Sequence, residues 1–167
     1  MSVARQFLDT NVAVYAYDAS EPAKQAVAQR ILRQGILAES SVISVQVLGE
    51  FFNAVTRRIR RPMTVAEASE AVGSIKALPV VDIDTQLVER AIETLRRYDI
   101  SYWDALIVAA AERSGCRKLL SEELNPDQRY NGIVVENPFV TVSEVAPSAE
   151  AGQSFEPSSA GSNGSES

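Results

Sequence analysis

A handful of acidic residues carries the chemical potential of this chain. Asp9 ends an apolar run in Phe7-Leu8-Asp9-Thr10-Asn11. Glu50 lies in Leu48-Gly49-Glu50-Phe51-Phe52, and Asp104 in Tyr102-Trp103-Asp104-Ala105-Leu106-Ile107. Glu122 and Glu123 follow Leu119-Leu120-Ser121. The 167 residues include no histidine and one cysteine, Cys116. That composition removes the commonest general base, a His-based triad and a His-based zinc site. It also excludes an intrachain disulfide and a cysteine-rich zinc site. Cys116, after an apolar helix and before a strand, reads as a buried inert thiol. Any hydrolytic chemistry must then rest on carboxylates, with a hard metal ion to assist them.

Each acid also has a plain structural reading. Asp9 could cap the next helix, and Thr10 and Asn11 are ordinary turn formers. Glu50 falls on the margin of an apolar stripe and could extend to solvent. Asp104 could interact with a helix dipole in its first turn. Its helical neighbours Ile107, Val108 and Ala111 are apolar, however, and an unpaired carboxylate among them is costly. Glu122 and Glu123 could be two surface charges, or one could face the sheet end and the other solvent. Taken together, Asp9, Glu50, Asp104 and Glu123 would repel one another unless a cation joined them. Oxygen-only ligands select Mg²⁺ or Mn²⁺. Such a group suits metal-assisted phosphodiester hydrolysis, which needs no histidine.

The elements that must position these acids alternate. An apolar strand ends at Leu8, and a short helix is predicted over 11–17. Ser20 is a plausible cap for a helix with Pro22 in its first turn, and Gly35 is expected to close it. A second strand covers 41–44. A helix with the stripe Val47, Leu48, Phe51, Val55 and Ile59 follows, and a Thr64/Glu67 capping box opens another. A third strand covers 79–83, and the next helix runs over 85–98. The helix over 102–114 is apolar nearly all round, hence central. A fourth strand covers 118–121 and a fifth 133–135. This alternation predicts an α/β fold: a three-layer α/β/α sandwich around a mostly parallel sheet. Ligands of such sheets lie beyond the carboxyl ends of the strands. Asp9 and Glu122-Glu123 both lie there and could meet.

At these positions the chain resembles the PIN-domain ribonucleases, in particular the VapC-type toxins of type II toxin–antitoxin pairs. The resemblance runs from Val3 to about Phe139. It implies a Mg²⁺- or Mn²⁺-dependent endoribonuclease acting on single-stranded or looped RNA such as tRNA or rRNA. It also implies a homodimer and a cognate antitoxin that covers the cleft. By motif match Asp9, Glu50 and Asp104 would be metal ligands, with Thr10, Asn11 and Ser121 as supporting polar groups. The family's fourth acid is usually Asp, and here that position is Glu123. The longer side chain moves the carboxylate and bears on Mg²⁺ geometry. A second reading follows from it, a catalytically weak PIN-like module that binds RNA or protein. A third, an aspartate-nucleophile phosphatase, would want a second Asp where Asn11 stands.

Composition bounds the rest. Hydrophobic residues make up 46% and charged residues 23%, as in ordinary globular chains. No apolar run reaches the ~18 residues of a membrane span, and the first residues lack a secretory pattern. Cytoplasmic localisation is the expectation. Net charge is −6, but residues 140–167 hold four acids and no bases, so residues 1–139 carry 18 acids against 16 bases. The reading is a nuclease-like domain over 1–139 and a disordered Ser/Gly/Glu-rich tail over 140–167. Arg57, Arg58, Arg60 and Arg61 form the one dense basic cluster. They suit RNA phosphates or simply a solvated helix end. Tyr102 and Trp103 could stack a base, but packing at a helix N-terminus is the more economical expectation.

Overall fold

In the computed structural model, which describes residues 3–140, the strands form one six-stranded sheet in the order β3-β2-β1-β4-β6-β5. Its members are β1 (Gln6–Leu8), β2 (Ser41–Ser44), β3 (Val80–Val81), β4 (Lys118–Leu120), β5 (Arg129–Tyr130) and β6 (Ile133–Glu136). All pairings are parallel except β5 with β6. Among the described residues, six helices flank the sheet: α1 (Thr10–Tyr15), α2 (Pro22–Leu37), α3 (Val45–Arg57), α4 (Val65–Ile75), α5 (Thr85–Tyr98) and α6 (Tyr102–Arg113). The predicted α/β sandwich with a mostly parallel sheet is therefore present. The predicted disorder of the tail falls outside the described residues, apart from Val140. None of the described helices is long and apolar enough to cross a membrane.

The central strands are covered on both faces. Phe7, Leu8, Val42, Ile43, Leu119 and Val135 are essentially inaccessible to water. That is the pattern of a parallel sheet between helices, with apolar runs in place of alternation. Helix α6 buries every residue from Ala105 to Ala111, so its all-round apolarity does place it centrally. Cys116 is 5% exposed, the buried thiol expected. The Thr64/Glu67 capping box forms as read, with Thr64 N donating to Glu67 Oε2 at 2.7 Å.

Three local expectations change. Ser20 does not cap α2: its hydroxyl donates to Asp18 Oδ1 at 2.6 Å, and Pro22 opens the helix without a side-chain cap. Gly35 does not end α2 either, since the helix continues to Leu37. A Cβ at Gly35 would lie 2.3 Å from Ser41 Oγ and 2.5 Å from Ser41 Cβ. The glycine is there to let the helix approach β2. Finally, β5 is a strand that the hydrophobic pattern did not reveal. It pairs with β6 through Asn131 and Gly132, whose φ values are +51° and +82°. The Asn-Gly pair is the usual two-residue hairpin signal.

The sheet order sets the site. From β1 the chain builds outward through β2 and β3, then returns to place β4 on the other side of β1. The boundary between β1 and β4 is thus the switch point where open parallel sheets bind ligands. Leu8 is in register with Leu120, and Asp9 N donates to Leu120 O at 3.0 Å. Residues more than a hundred positions apart leave the sheet side by side.

Candidate active site

Asp9 leaves β1 and caps α1. Its Oδ1 accepts from Thr10 N at 2.7 Å, and its Oδ2 accepts from Ser121 Oγ at 2.6 Å and Asn11 Nδ2 at 3.2 Å. The cap reading is therefore correct, and it does not exclude a further role. Asp9 is only 5% exposed. Burial pushes its pKa up to about 6, against the lowering effect of the Ser121 and Thr10 hydrogen bonds, and the charges of Glu123 and Glu50 add to the rise.

Ser121, fully buried at the end of β4, is the keystone of the opposite side. Besides donating to Asp9, its Oγ accepts from Glu123 N and Leu124 N, both at 3.2 Å. Asn11 completes the brace, its Oδ1 accepting from Glu122 N at 3.1 Å. Thr10, Asn11 and Ser121 thus tie the two strand ends together.

Glu50, half-buried on α3, joins through Thr10. Thr10 Oγ1 donates to Glu50 Oε2 at 2.7 Å, and Gln46 Nε2 donates to Glu50 Oε1 at 2.8 Å. Asp104, also half-buried, sits in the first turn of α6. Its Oδ2 accepts from Ser101 Oγ at 2.7 Å, and its backbone N–H donates back to that oxygen at 3.1 Å. The carboxylate that looked least comfortable in sequence is thereby accommodated by a helix N-terminus.

The two adjacent glutamates separate. Glu122 turns to Lys24, with Oε1 2.5 Å from Nζ, and Lys24 also donates to Tyr15 Oη at 3.2 Å. Glu122 is therefore ion-paired and not directed to open solvent. Glu123 is exposed but turns toward the other acids. Desolvation is the largest cause raising its pKa, followed by the charges of Asp104, Glu50 and Glu122, while Arg58 lowers it. These mutual effects mark Asp9, Glu50, Asp104 and Glu123 as four acids of one neighbourhood.

All four line a single open cleft of about 1060 Å³. Among the described residues, no three acidic, histidine or cysteine side chains converge closely enough to hold an ion unaided. The basic cluster divides. Arg58 and Arg60 line the cleft, whereas Arg57 and Arg61 are exposed away from it. Trp103 departs from the packing expected of it. It is 61% exposed and lines the cleft, while Tyr102 packs partly against the core.

Sequence reasoning missed two residues. Gln46 is 8% exposed, and its Nε2 bridges Glu50 and the Trp103 carbonyl, the latter at 3.1 Å. Its Oε1 is buried with no hydrogen-bond partner. Gln46 lies four residues before Glu50 on one helix face, a spacing that could have signalled it. Lys24 had no comparable signal, because its partner is 98 residues away.

The fold and cleft define a parallel α/β protein with clustered acids at the switch point of its sheet. The chain belongs to the PIN domain family, whose model matches residues 7–129. No curated protein sequence matches it. Solved structures similar to it include VapC20 of Mycobacterium tuberculosis, described as a sarcin–ricin loop cleaving toxin. The two share 24% identity at a TM-score of 0.53, over 68% of this chain and 86% of that one. DNA-bound VapBC from Salmonella typhimurium is similar at 20% identity and TM-score 0.59, over 81% and 99% of the two chains. A toxin–antitoxin complex from Klebsiella pneumoniae shows 16% identity and TM-score 0.59, over 80% and 97%. This chain therefore shares the fold of VapC proteins.

Proposed function

We propose that this protein is a Mg²⁺- or Mn²⁺-dependent endoribonuclease toxin. The observation that carries the reading is the meeting of Asp9, Glu50, Asp104 and Glu123 in one cleft at the β1/β4 switch point. The donors there are oxygens, and the buried carboxylate of Asp9 is held at an energetic cost that a cation would relieve. Mg²⁺ typically uses one or two protein carboxylates and keeps several waters. A donor set that does not close on one point is compatible with that mode. Asp9, Glu50 and Asp104 would hold the ion, with Glu123 as an outer acid.

When bound, such an ion makes a water more acidic and stabilises charge growing on phosphoryl oxygens. The chain's own residues position and polarise. Ser121 and Thr10 fix the two oxygens of Asp9, Gln46 and Thr10 fix those of Glu50, and Ser101 fixes Asp104. Arg58 and Arg60 at the rim suit the phosphates of RNA. Hydrolysis joins a water oxygen to phosphorus, breaks the ester P–O bond and gives a proton to the departing oxygen.

By likeness to VapBC complexes, a cognate antitoxin and a homodimer belong to the same proposal, with tRNA or rRNA as the substrate class. One observation favours the rival reading of a catalytically weak RNA- or protein-binding module, namely that among the described residues no three acids converge closely enough to hold an ion unaided. Sequencing RNA ends after controlled expression separates the two. New 5′ ends should be produced by the native chain and be absent with Asp104→Asn and Asp9→Asn. Identical ends in all three refute the nuclease reading.

A further inference from the structure

Trp103 is the feature of the cleft that metal-dependent hydrolysis does not require. A tryptophan gains by burial, yet this one is 61% exposed, a fraction exceeded among the exposed large apolar side chains of the described residues only by the smaller Leu37 and Val65. It is not loosely placed. The Tyr102 ring meets it edge-on, centroids 5.1 Å apart at 70°. Gln46 Nε2 anchors its backbone carbonyl at 3.1 Å, so one buried amide fixes both Trp103 and Glu50. The next residue is Asp104, one of the four acids. Arg58 and Arg60 line the same cleft.

We infer that Trp103 is a stacking platform for an unpaired nucleobase of the RNA. The inference rests on the proposed nuclease reading and adds to it the side chain that reads the unpaired state of the RNA. A ring offered to solvent beside guanidinium groups matches the pattern of single-strand binding, in which bases stack on aromatics and cations follow the phosphates. Bases inside a duplex do not offer their faces, so the platform selects a loop, bulge or end. Trp103 lines the same cleft as Asp9, Glu50, Asp104 and Glu123, so a base stacked on it lies beside the acids and the scissile phosphate is that of an unpaired nucleotide. The stacking is sequence-tolerant, because every base has a π-face; Trp103 selects unpaired structure and leaves base identity to other contacts.

The test uses the fact that Trp103 is the chain's sole tryptophan. Its fluorescence is titrated with a short single-stranded RNA in EDTA, so that cleavage plays no part. Three further arms use the same sequence as a duplex, a strand of equal charge with abasic sites, and labelled RNA with Trp103→Ala and Trp103→Phe. Saturable quenching by the single strand, and not by the duplex or the abasic strand, is expected. Trp103→Ala should weaken binding by about 5- to 100-fold, and Trp103→Phe should restore most of it. Equal quenching by the abasic strand would show that only charge is read and overturn the inference. So would blue-shifted emission that grows with protein concentration and ignores RNA, the sign of a ring covered by a second copy. Metal-dependent RNA cleavage with no base-dependent quenching would refute the platform and leave the nuclease reading intact. Base-dependent quenching without any cleavage would do the reverse.

Discussion

The buried carboxylate of Asp9 makes a stability prediction with a definite sign. Asp9 ionises near 6 in the folded protein and near 3.8 when unfolded. Between those values the native state holds more protons, so stability falls as pH rises through the window. With the side chain 5% exposed, the full penalty above pH 7 is about 3 kcal/mol. Lowering the pH from 8 to 5 should return about 1.4 kcal/mol of it to the metal-free protein. Asp9→Asn removes the charge but sets an amide N–H against Ser121 and Asn11, at a cost of about 1 kcal/mol. Its net effect at pH 8 should be a gain of about 1–2 kcal/mol. Glu123 is shifted in the same direction, so the difference between the native chain and Asp9→Asn reads Asp9 together with its coupling to Glu123 and Glu50. Urea unfolding in EDTA at half-unit steps from pH 5 to 8 measures it. Mg²⁺ at pH 8 should stabilise the native chain and leave the variant unchanged. A native-minus-variant difference that is flat with pH would refute the reasoning.

Three other substitutions probe the remaining parts. Ser121→Ala strips a fully buried hydroxyl from Asp9 and from two backbone N–H groups; thermal or urea unfolding should show a loss of about 2–4 kcal/mol. Gly35→Ala puts a methyl 2.3 Å from Ser41 Oγ; calorimetry should report destabilisation of about 1–3 kcal/mol, in spite of alanine's better helix propensity. Arg58→Ala should weaken RNA binding and reduce the slope of log K against log salt by about 0.7, as read by anisotropy across a salt series. Arg57→Ala, which lies off the cleft, should leave that slope unchanged.

The order of elements was legible because it depends on local periodicity. The apolar runs at Phe7-Leu8, Val42-Ile43 and Leu119-Leu120, and the Thr64/Glu67 box, are settled within a few residues of chain. The acids too were visible as acids in apolar surroundings, and the lack of histidine narrowed the chemistry before any geometry was known. β5 escaped because two residues carry no periodicity, although Asn131-Gly132 marked the turn. Gly35 was misread because a helix-ending glycine and one that permits close approach look identical in sequence.

What only the tertiary structure decided is which side chains meet. The pairing of β1 with β4 sets Ser121 against Asp9, 112 positions apart. The same pairing buries Asp9, and that burial raises its pKa while the Ser121 hydrogen bond holds part of the rise back. Both Glu122 and Glu123 line the cleft, but Lys24 ion-pairs Glu122 alone, a distinction between adjacent identical residues that no local pattern can make. Arg58 and Arg60 reach the cleft while Arg57 and Arg61 do not, because helical and loop geometry points neighbours in different directions. Trp103 stands in solvent and Tyr102 against the core for the same reason. Residue type and order fix the available chemistry locally. Burial, charge coupling and direction are properties of contacts between distant parts of the chain, and they come into being only when the sheet assembles.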